Sequence, residues 1–296
     1  MNRCLAFLLA LVFASLSVSS ACVAATGDWA HFTLEPERSG GGKIHATFRD
    51  EDRGRGDNNW STGFSAAELG GLDVAGFRSA GVRPLRFALV REAGRLDCSG
   101  NGGNSYAAGN CSFAADPGFS QLLANRGIGR PTREQAFGLM AVNARRELID
   151  AIAAARYPTP TIDDLLALSA LGVNGPYIAG LARAGYRPRA VHTLVEFKAL
   201  GITPQWIGGF VRVGYGNMPA EELVQLKALN VTPEFIAGFD RLGYRNLPAS
   251  TLVQLKALDI SPEFVRSAVG ERGAMPPVSE LVQLKMFGRR SSAGRH

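Results

Sequence analysis

A leucine recurs at Leu165, Leu194, Leu223, Leu252 and Leu281, always 29 residues after the last. A fixed period of this length marks stacked supersecondary units, each too small to bury its own apolar face and so obliged to lean on its neighbours. The stretch LVQLKALNVTPEFIAGFDRLGYRNLPA, from Leu223 to Ala249, shows one unit in full. Its first helix begins near a proline (Pro219, Pro248 or Pro277), carries the leucine, and ends at Gly172, Gly201, Asn230 or Asp259. Those are residue types that tolerate the left-handed conformation after a helix. A β-branched residue follows, and Asn174, Thr203, Thr232 and Ser261 then stand as N-caps of a second helix, three of them followed by proline. The second helix opens with an aromatic column (Tyr177, Trp206, Phe235, Phe264), continues through Gly180, Gly209 and Gly238, and stops at Gly185-Tyr186, Gly214-Tyr215 and Gly243-Tyr244. The pattern predicts an αα-hairpin stack over residues 158–287, with Leu281–Phe287 as a terminal half-unit and the aromatic column in the core.

Two polar columns have no task in this scheme: Lys198, Lys227, Lys256 and Lys285, and Arg183, Arg212 and Arg241. They read either as solubilising side chains whose stems cover apolar neighbours or as a basic ridge along the stack. Such a ridge would bind an acidic protein, an anionic lipid headgroup or a polyanionic envelope polymer. The turn between the helices superficially matches a helix-hairpin-helix, but the second glycine of that motif is replaced by Asn174, Thr203, Thr232 or Ser261. The pI near 9.4 reflects a mild excess of charge, with 15 basic against 11 acidic residues over 157–296. A nucleic-acid partner is therefore not expected.

The N-terminus reads as a targeting segment: Arg3, an apolar run from Leu5 to Val18, and small residues for cleavage near Ala25. The expectation is a periplasmic or secreted protein with residues 1–25 removed. The alternatives are an uncleaved N-terminal membrane anchor, for which the apolar run is short, and lipidation of Cys22, against which Ser19 stands. Cleavage leaves two cysteines, Cys98 and Cys111, the composition of one structural disulfide in an oxidising compartment.

Residues 26–130 are rich in glycine and in short alternating runs, giving candidate strands at His31–Leu34, Lys43–Arg49, Trp60–Phe64, Leu85–Arg91, Arg95–Ser99 and Asn110–Ala114. A hairpin centred between Asn104 and Ser105 would place Cys98 directly opposite Cys111. A short helix is expected at Ser65–Leu69, where Ser65 and Glu68 have capping-box spacing. Residues 131–157 read as one long linking helix opened by Thr132 and Gln135, with Phe137, Met140, Ala144, Leu148 and Ile152 on one face. Residues 288–296 read as a disordered tail. The fold class is thus α+β: a small antiparallel β domain with one disulfide hairpin, a long linking helix, then the repeat stack.

Catalytic and metal signatures are sparse. The histidines are His31, His45, His192 and His296, and no H-E-x-x-H or G-x-S-x-G occurs. The acidic run Asp50–Asp57 starts like a calcium loop but has Gly54, Arg55 and Ser61 at positions that need a ligand, a glycine and a bidentate carboxylate. Arg55-Gly56-Asp57 is too short a motif to carry information. No cofactor is expected. The favoured reading is an exported envelope binding or scaffold protein acting through protein–protein contacts. The alternative is an envelope enzyme with its site in the β domain or at the domain junction.

The repeats resemble those of a set of bacterial exported proteins of uncharacterised function, built from tandem units of the form L-V-x-L-K-x-x-G-V-T-P-E-F-I-x-x-L-x-x-L-G-Y. Similar units look to be appended to some membrane metallopeptidases related to β-lactam sensors. The match covers about residues 157–287 and is most specific in the units around Leu223 and Leu252. The resemblance implies a sensor-like or partner-binding envelope role. It carries over nothing catalytic, because the zinc motif of those peptidases is missing here.

Overall fold

The computed structural model describes residues 30–38, 42–50, 59–272 and 275–288. The targeting segment with Cys22 and Ala25, most of the acidic run, Arg55-Gly56-Asp57 and the tail beyond 288 lie outside these residues.

All six expected strands form: β1 (Ala30–Pro36), β2 (Ile44–Asp50), β3 (Asn59–Phe64), then, after a short helix α1 (Val74–Arg78), β4 (Arg83–Arg91), β5 (Gly94–Gly103) and β6 (Tyr106–Ala115). They make one antiparallel sheet in the order β3-β2-β1-β6-β5-β4. The β5–β6 hairpin turns at Asn104 and Ser105, both with positive φ (53° and 61°), as a two-residue turn matched to strand twist requires. That register puts Cys98 opposite Cys111, and the two are disulfide-bonded in the sheet's buried face. On the chain-entropy account the bond is worth about 3 kcal/mol.

Glycine lets this sheet curl. Gly100 pairs with Gly109, and a Cβ on either would fall 2.2 Å from a carbonyl oxygen of the opposite strand. The backbones can come this close only without side chains. As a result Phe32 of β1 meets Phe87 of β4, ring centroids 4.9 Å apart, although two strands lie between them. The edges approach as well: the Arg91 guanidinium of β4 stands 5.2 Å from the Trp60 ring and 5.5 Å from the Phe64 ring of β3. The sheet is a partly closed barrel around Phe32, Phe48, Phe64, Leu69 and Leu96.

The helix expected at Ser65–Leu69 is a turn instead. Ser65 donates from both N and Oγ to Glu68 Oε2 at 2.8 Å, but Gly70 pairs with Ala88 and Gly71 takes a φ of 84°, so no helix propagates.

The remaining helices are α2 (Pro117–Asn125), α3 (Arg133–Ala141), α4 (Arg146–Ala154), α5 (Ile162–Ala170), α6 (Gly175–Arg183), α7 (Val191–Ala199), α8 (Pro204–Arg212), α9 (Ala220–Ala228), α10 (Pro233–Arg241), α11 (Ala249–Ala257), α12 (Pro262–Arg272) and α13 (Val278–Phe287). The long linking helix over 131–157 is therefore corrected to two helices, α3 and α4. Asn143 adopts a φ of 55° and breaks it, and Ala144 N donates back to Leu139 O. The Thr132–Gln135 capping box does open α3.

Asn143 lies 29 residues before Gly172 and performs the same stop. Arg156 (φ 59°) and Gly127 (φ 73°) extend the Gly185 column backwards in the same way. The stack thus starts with α2, a lone second helix, continues through five hairpins, and ends with α13, a lone first helix. The chain after each stop folds back: Val173, Ile202, Val231 and Ile260 donate to the carbonyls of Leu168, Phe197, Leu226 and Leu255 at 2.8–2.9 Å. Asn174, Thr203, Thr232 and Ser261 cap the second helices as expected. Pro219, Pro248 and Pro277 stand at the N-caps of the first helices, just before the first turn. First helices pack on first helices and second on second, giving two layers with the leucine column between them, each of those leucines at most 1% exposed.

The small column of the second helices has a specific neighbour. A Cβ on Gly180, Gly209 or Gly238 would lie 2.5–2.7 Å from Cγ of Pro204, Pro233 or Pro262, the residue that opens the next second helix. The earlier junction inverts the pair: Ala151 stands in the glycine column and Gly175 in the proline column. Gly209→Ala should thus lower stability by about 1–2 kcal/mol, since overpacking outweighs the helix-propensity gain. Adding Pro233→Ala should restore most of the loss in urea unfolding. An unchanged or raised midpoint for the single variant would contradict the proposed clash.

Candidate functional surface

The lysine column has a structural partner. Each lysine, in the last turn of a first helix, reaches the aromatic ring that opens the preceding second helix. Nζ lies 4.8 Å from the ring centroid for Lys198 on Tyr177, 5.4 Å for Lys227 on Trp206, 5.1 Å for Lys256 on Phe235 and 5.0 Å for Lys285 on Phe264. All four lysines are half-buried. The aromatic column is correspondingly only half in the core: Tyr177 is buried, while Trp206, Phe235 and Phe264 use the lysine stem and ammonium as a lid. Where the ring is replaced by Leu148, the lysine position holds Ser169, whose buried Oγ has no partner. Lys285 in addition donates to the carbonyl of Asp259 at 2.7 Å.

The arginine column is different. Arg183, Arg212 and Arg241 are exposed and make no hydrogen bond or ion pair among the described residues. The two columns meet: Arg241 and Lys256 line one groove of about 330 Å³ with Glu234, Asp259 and Glu263. The ridge is therefore of mixed charge in its C-terminal half. The Glu234 carboxyl is held below its usual range by hydrogen bonds from its own backbone and Thr232, with the Arg212 charge assisting. Upstream, Gln205 and Pro176 occupy the Glu234 column, so positive charge prevails around Arg183.

At the domain junction, the β4–β5 turn grips the first hairpin. Arg91 Nη1 donates to the carbonyls of Met140 and Ala141 at 2.8 and 2.5 Å, the C-terminal end of α3. Burial pushes this guanidinium below its usual range, opposed by the nearby Glu68 charge. Glu92 accepts from Arg146 N at 2.7 Å and so caps α4, whose own N-cap side chain makes no bond. Phe137 of α3 packs edge-on against Phe113 and Trp60 of the barrel. His192 is exposed and lines a groove of about 710 Å³ with Tyr186 and Glu221. No group of three or more His, Cys, Asp or Glu that could hold a metal occurs among the described residues.

Sequence reasoning missed the tyrosine hydroxyls. Tyr215 and Tyr244, read only as helix stops, donate to the carbonyls of Leu247 and Pro276, the former at 2.8 Å, and so bind one unit to the next. The signal was the 29-residue recurrence of tyrosine itself. The disulfide is compatible with export, and no single described helix is long and apolar enough to cross a membrane. The pair α5 and α6 passes on composition but is bent by 84°.

If the lysine–aromatic contact is energetic, a double-mutant cycle of Lys227→Gln with Trp206→Leu should give a coupling of about 0.5–1 kcal/mol, and zero coupling would reduce it to coincidence. Burial pushes the Tyr157 and Tyr177 phenols up to about 12. Against about 10 in the unfolded chain, the folded state holds more protons in this window. Stability is then full below pH about 10 and falls as pH rises toward about 12. Urea midpoints across that range should fall, and Tyr157→Phe should make the fall shallower. Compared with models of known protein families and with curated proteins, the chain matches no family and no protein.

Proposed function

We propose that the protein is an exported envelope scaffold whose helical stack binds an acidic protein partner along the arginine column. The observation that carries this reading is the contrast between the two basic columns. The lysines are engaged with aromatic rings, whereas Arg183, Arg212 and Arg241 project one per unit into solvent and make no hydrogen bond or ion pair among the described residues. A repeated unpaired guanidinium suits recognition of carboxylates by fork-shaped hydrogen bonding. The periodic presentation suits an extended partner, as is usual for stacked-helix proteins. The resemblance to exported repeat proteins and to sensor-associated units supports a binding role over turnover, and the targeting segment supports the periplasm or the exterior as its site.

The test is capture of envelope proteins by the immobilised protein, with and without the triple substitution Arg183→Gln, Arg212→Gln, Arg241→Gln. The triple variant should melt within about 1 kcal/mol of the parent, as exposed substitutions do, and should lose a partner that the parent releases at raised salt. Capture of the same partner by parent and variant alike would sink the reading.

A further inference from the structure

The first complete junctions of the stack depart from the repeat at several columns together. Between α4 and α6 lies a groove of about 590 Å³, open on one side. This is within the range of about 300–1,000 Å³ typical of small-ligand sites. Its floor is Ala151, Ala154, Ala179, Ala182 and Ile178. The later units carry a larger side chain on this floor: Arg183, Arg212 and Arg241 stand where Ala154 is. Most telling is the loop after α6, which is Arg187-Pro188-Arg189. In the next two units the third position is Met218 or Leu247, both buried at 8–9% exposure, whereas Arg189 is exposed. An apolar plug has been exchanged for a cation at the mouth of a cavity.

Three cations line the mouth. They are Arg156, Arg187 and Arg189, and none of the three forms an ion pair among the described residues. The Glu147 carboxylate beside the groove is taken up by the Gly175 N–H at 2.9 Å, and Glu221 lies in the adjoining groove. Tyr157 also lines the mouth. Its hydroxyl makes none of the carbonyl bonds that occupy Tyr215 and Tyr244, so this donor is available. That phenol, pushed up to about 12 by burial, is protonated at neutral pH as any tyrosine is. An apolar trough ending in three cations and a neutral donor is complementary to one kind of molecule, a short chain with an anionic head.

We propose that the α4–α6 groove binds a free single-chain anionic amphiphile. Its carboxylate or phosphate head is held by Arg156, Arg187 and Arg189, and its chain lies along the alanine floor. This site is separate from the arginine column of the scaffold reading and stands or falls without it.

The experiment is calorimetric titration of the full protein with dodecanoate and with dodecyl phosphate, both kept below micelle formation. Saturable one-to-one binding is expected. It should weaken by about tenfold or more, equivalent to about 1.4 kcal/mol, in Arg187→Gln/Arg189→Gln, and vanish in Ala154→Phe, which fills the groove from an exposed position. Thermal melting checks that each variant is folded. The triple arginine-column variant should bind dodecanoate like the parent. Dodecyl maltoside, with the same tail and a neutral head, and inorganic phosphate alone should each bind at least tenfold more weakly. The proposal is overturned by equal affinity for the maltoside or for phosphate alone, by unaltered binding in the groove variants, or by loss in the column variant. Binding only to phosphatidylglycerol vesicles, with no uptake of free monomer, would also overturn it and point to a membrane-surface role.

Discussion

The left-handed residue that ends each helix is the constraint on which the stack depends. Gly172, Gly201, Asn230 and Asp259 between the helices, and Gly185, Gly214 and Gly243 after them, all take positive φ. Together with Gly127, Asn143 and Arg156 before them, they hold helices α2 to α11 to nine residues. Helices this short are not stable alone in water. Each stop also turns the next residue back so that its N–H closes the preceding carbonyls and its side chain enters the core. Truncating helices and building the core are thus the same backbone event. Every other feature follows from it: the glycine–proline contact, the lysine over the ring and the tyrosine bond to the following unit all span junctions created by these stops.

Much of this was legible in the chain, because a fixed period exposes one physical task at many positions. Caps, stops and the leucine column could be assigned from residue type alone. The α3–α4 hairpin could not, since Arg156 stands where glycine would have announced the second turn, Ala136 replaces the anchoring leucine, and Asn143, a stop of the same type as Asn230, lies within an uninterrupted apolar spacing. Both helices face one core, so the three- and four-residue apolar spacing runs through the break unaltered. The strands were legible from alternation, and the Cys98–Cys111 register followed from the turn. The curl of the sheet was not, because it depends on two glycines meeting across strands, Gly100 and Gly109.

The role of the lysines escaped for a related reason. Lys227 and Trp206 are 21 residues apart, on helices of different units and different layers. No local periodicity joins them, and only the stacking angle brings them face to face. A recurrent charged column thus need not be a binding surface. What separates packing from recognition here is whether the stack itself supplies a partner. The rings engage the lysines; no hydrogen bond or ion pair among the described residues holds Arg183, Arg212 or Arg241.

The barrel and the stack also explain each other. A stack of hairpins leaves apolar faces open at its two ends and needs something to cover them. At the N-terminal end α3 lays Phe137 between Phe113 and Trp60, and Arg91 joins the barrel seam to the end of the same helix. One side chain thus closes the sheet's edges and terminates the stack. Rigid support at that end has a consequence for the first junctions. With α3 and α4 fixed by Arg91 and Glu92, the next units can exchange proline for Gly175 and a buried Met or Leu for Arg189 without the hairpins separating. Departures from the repeat are least damaging where another domain holds the frame, and that is where the α4–α6 groove opens.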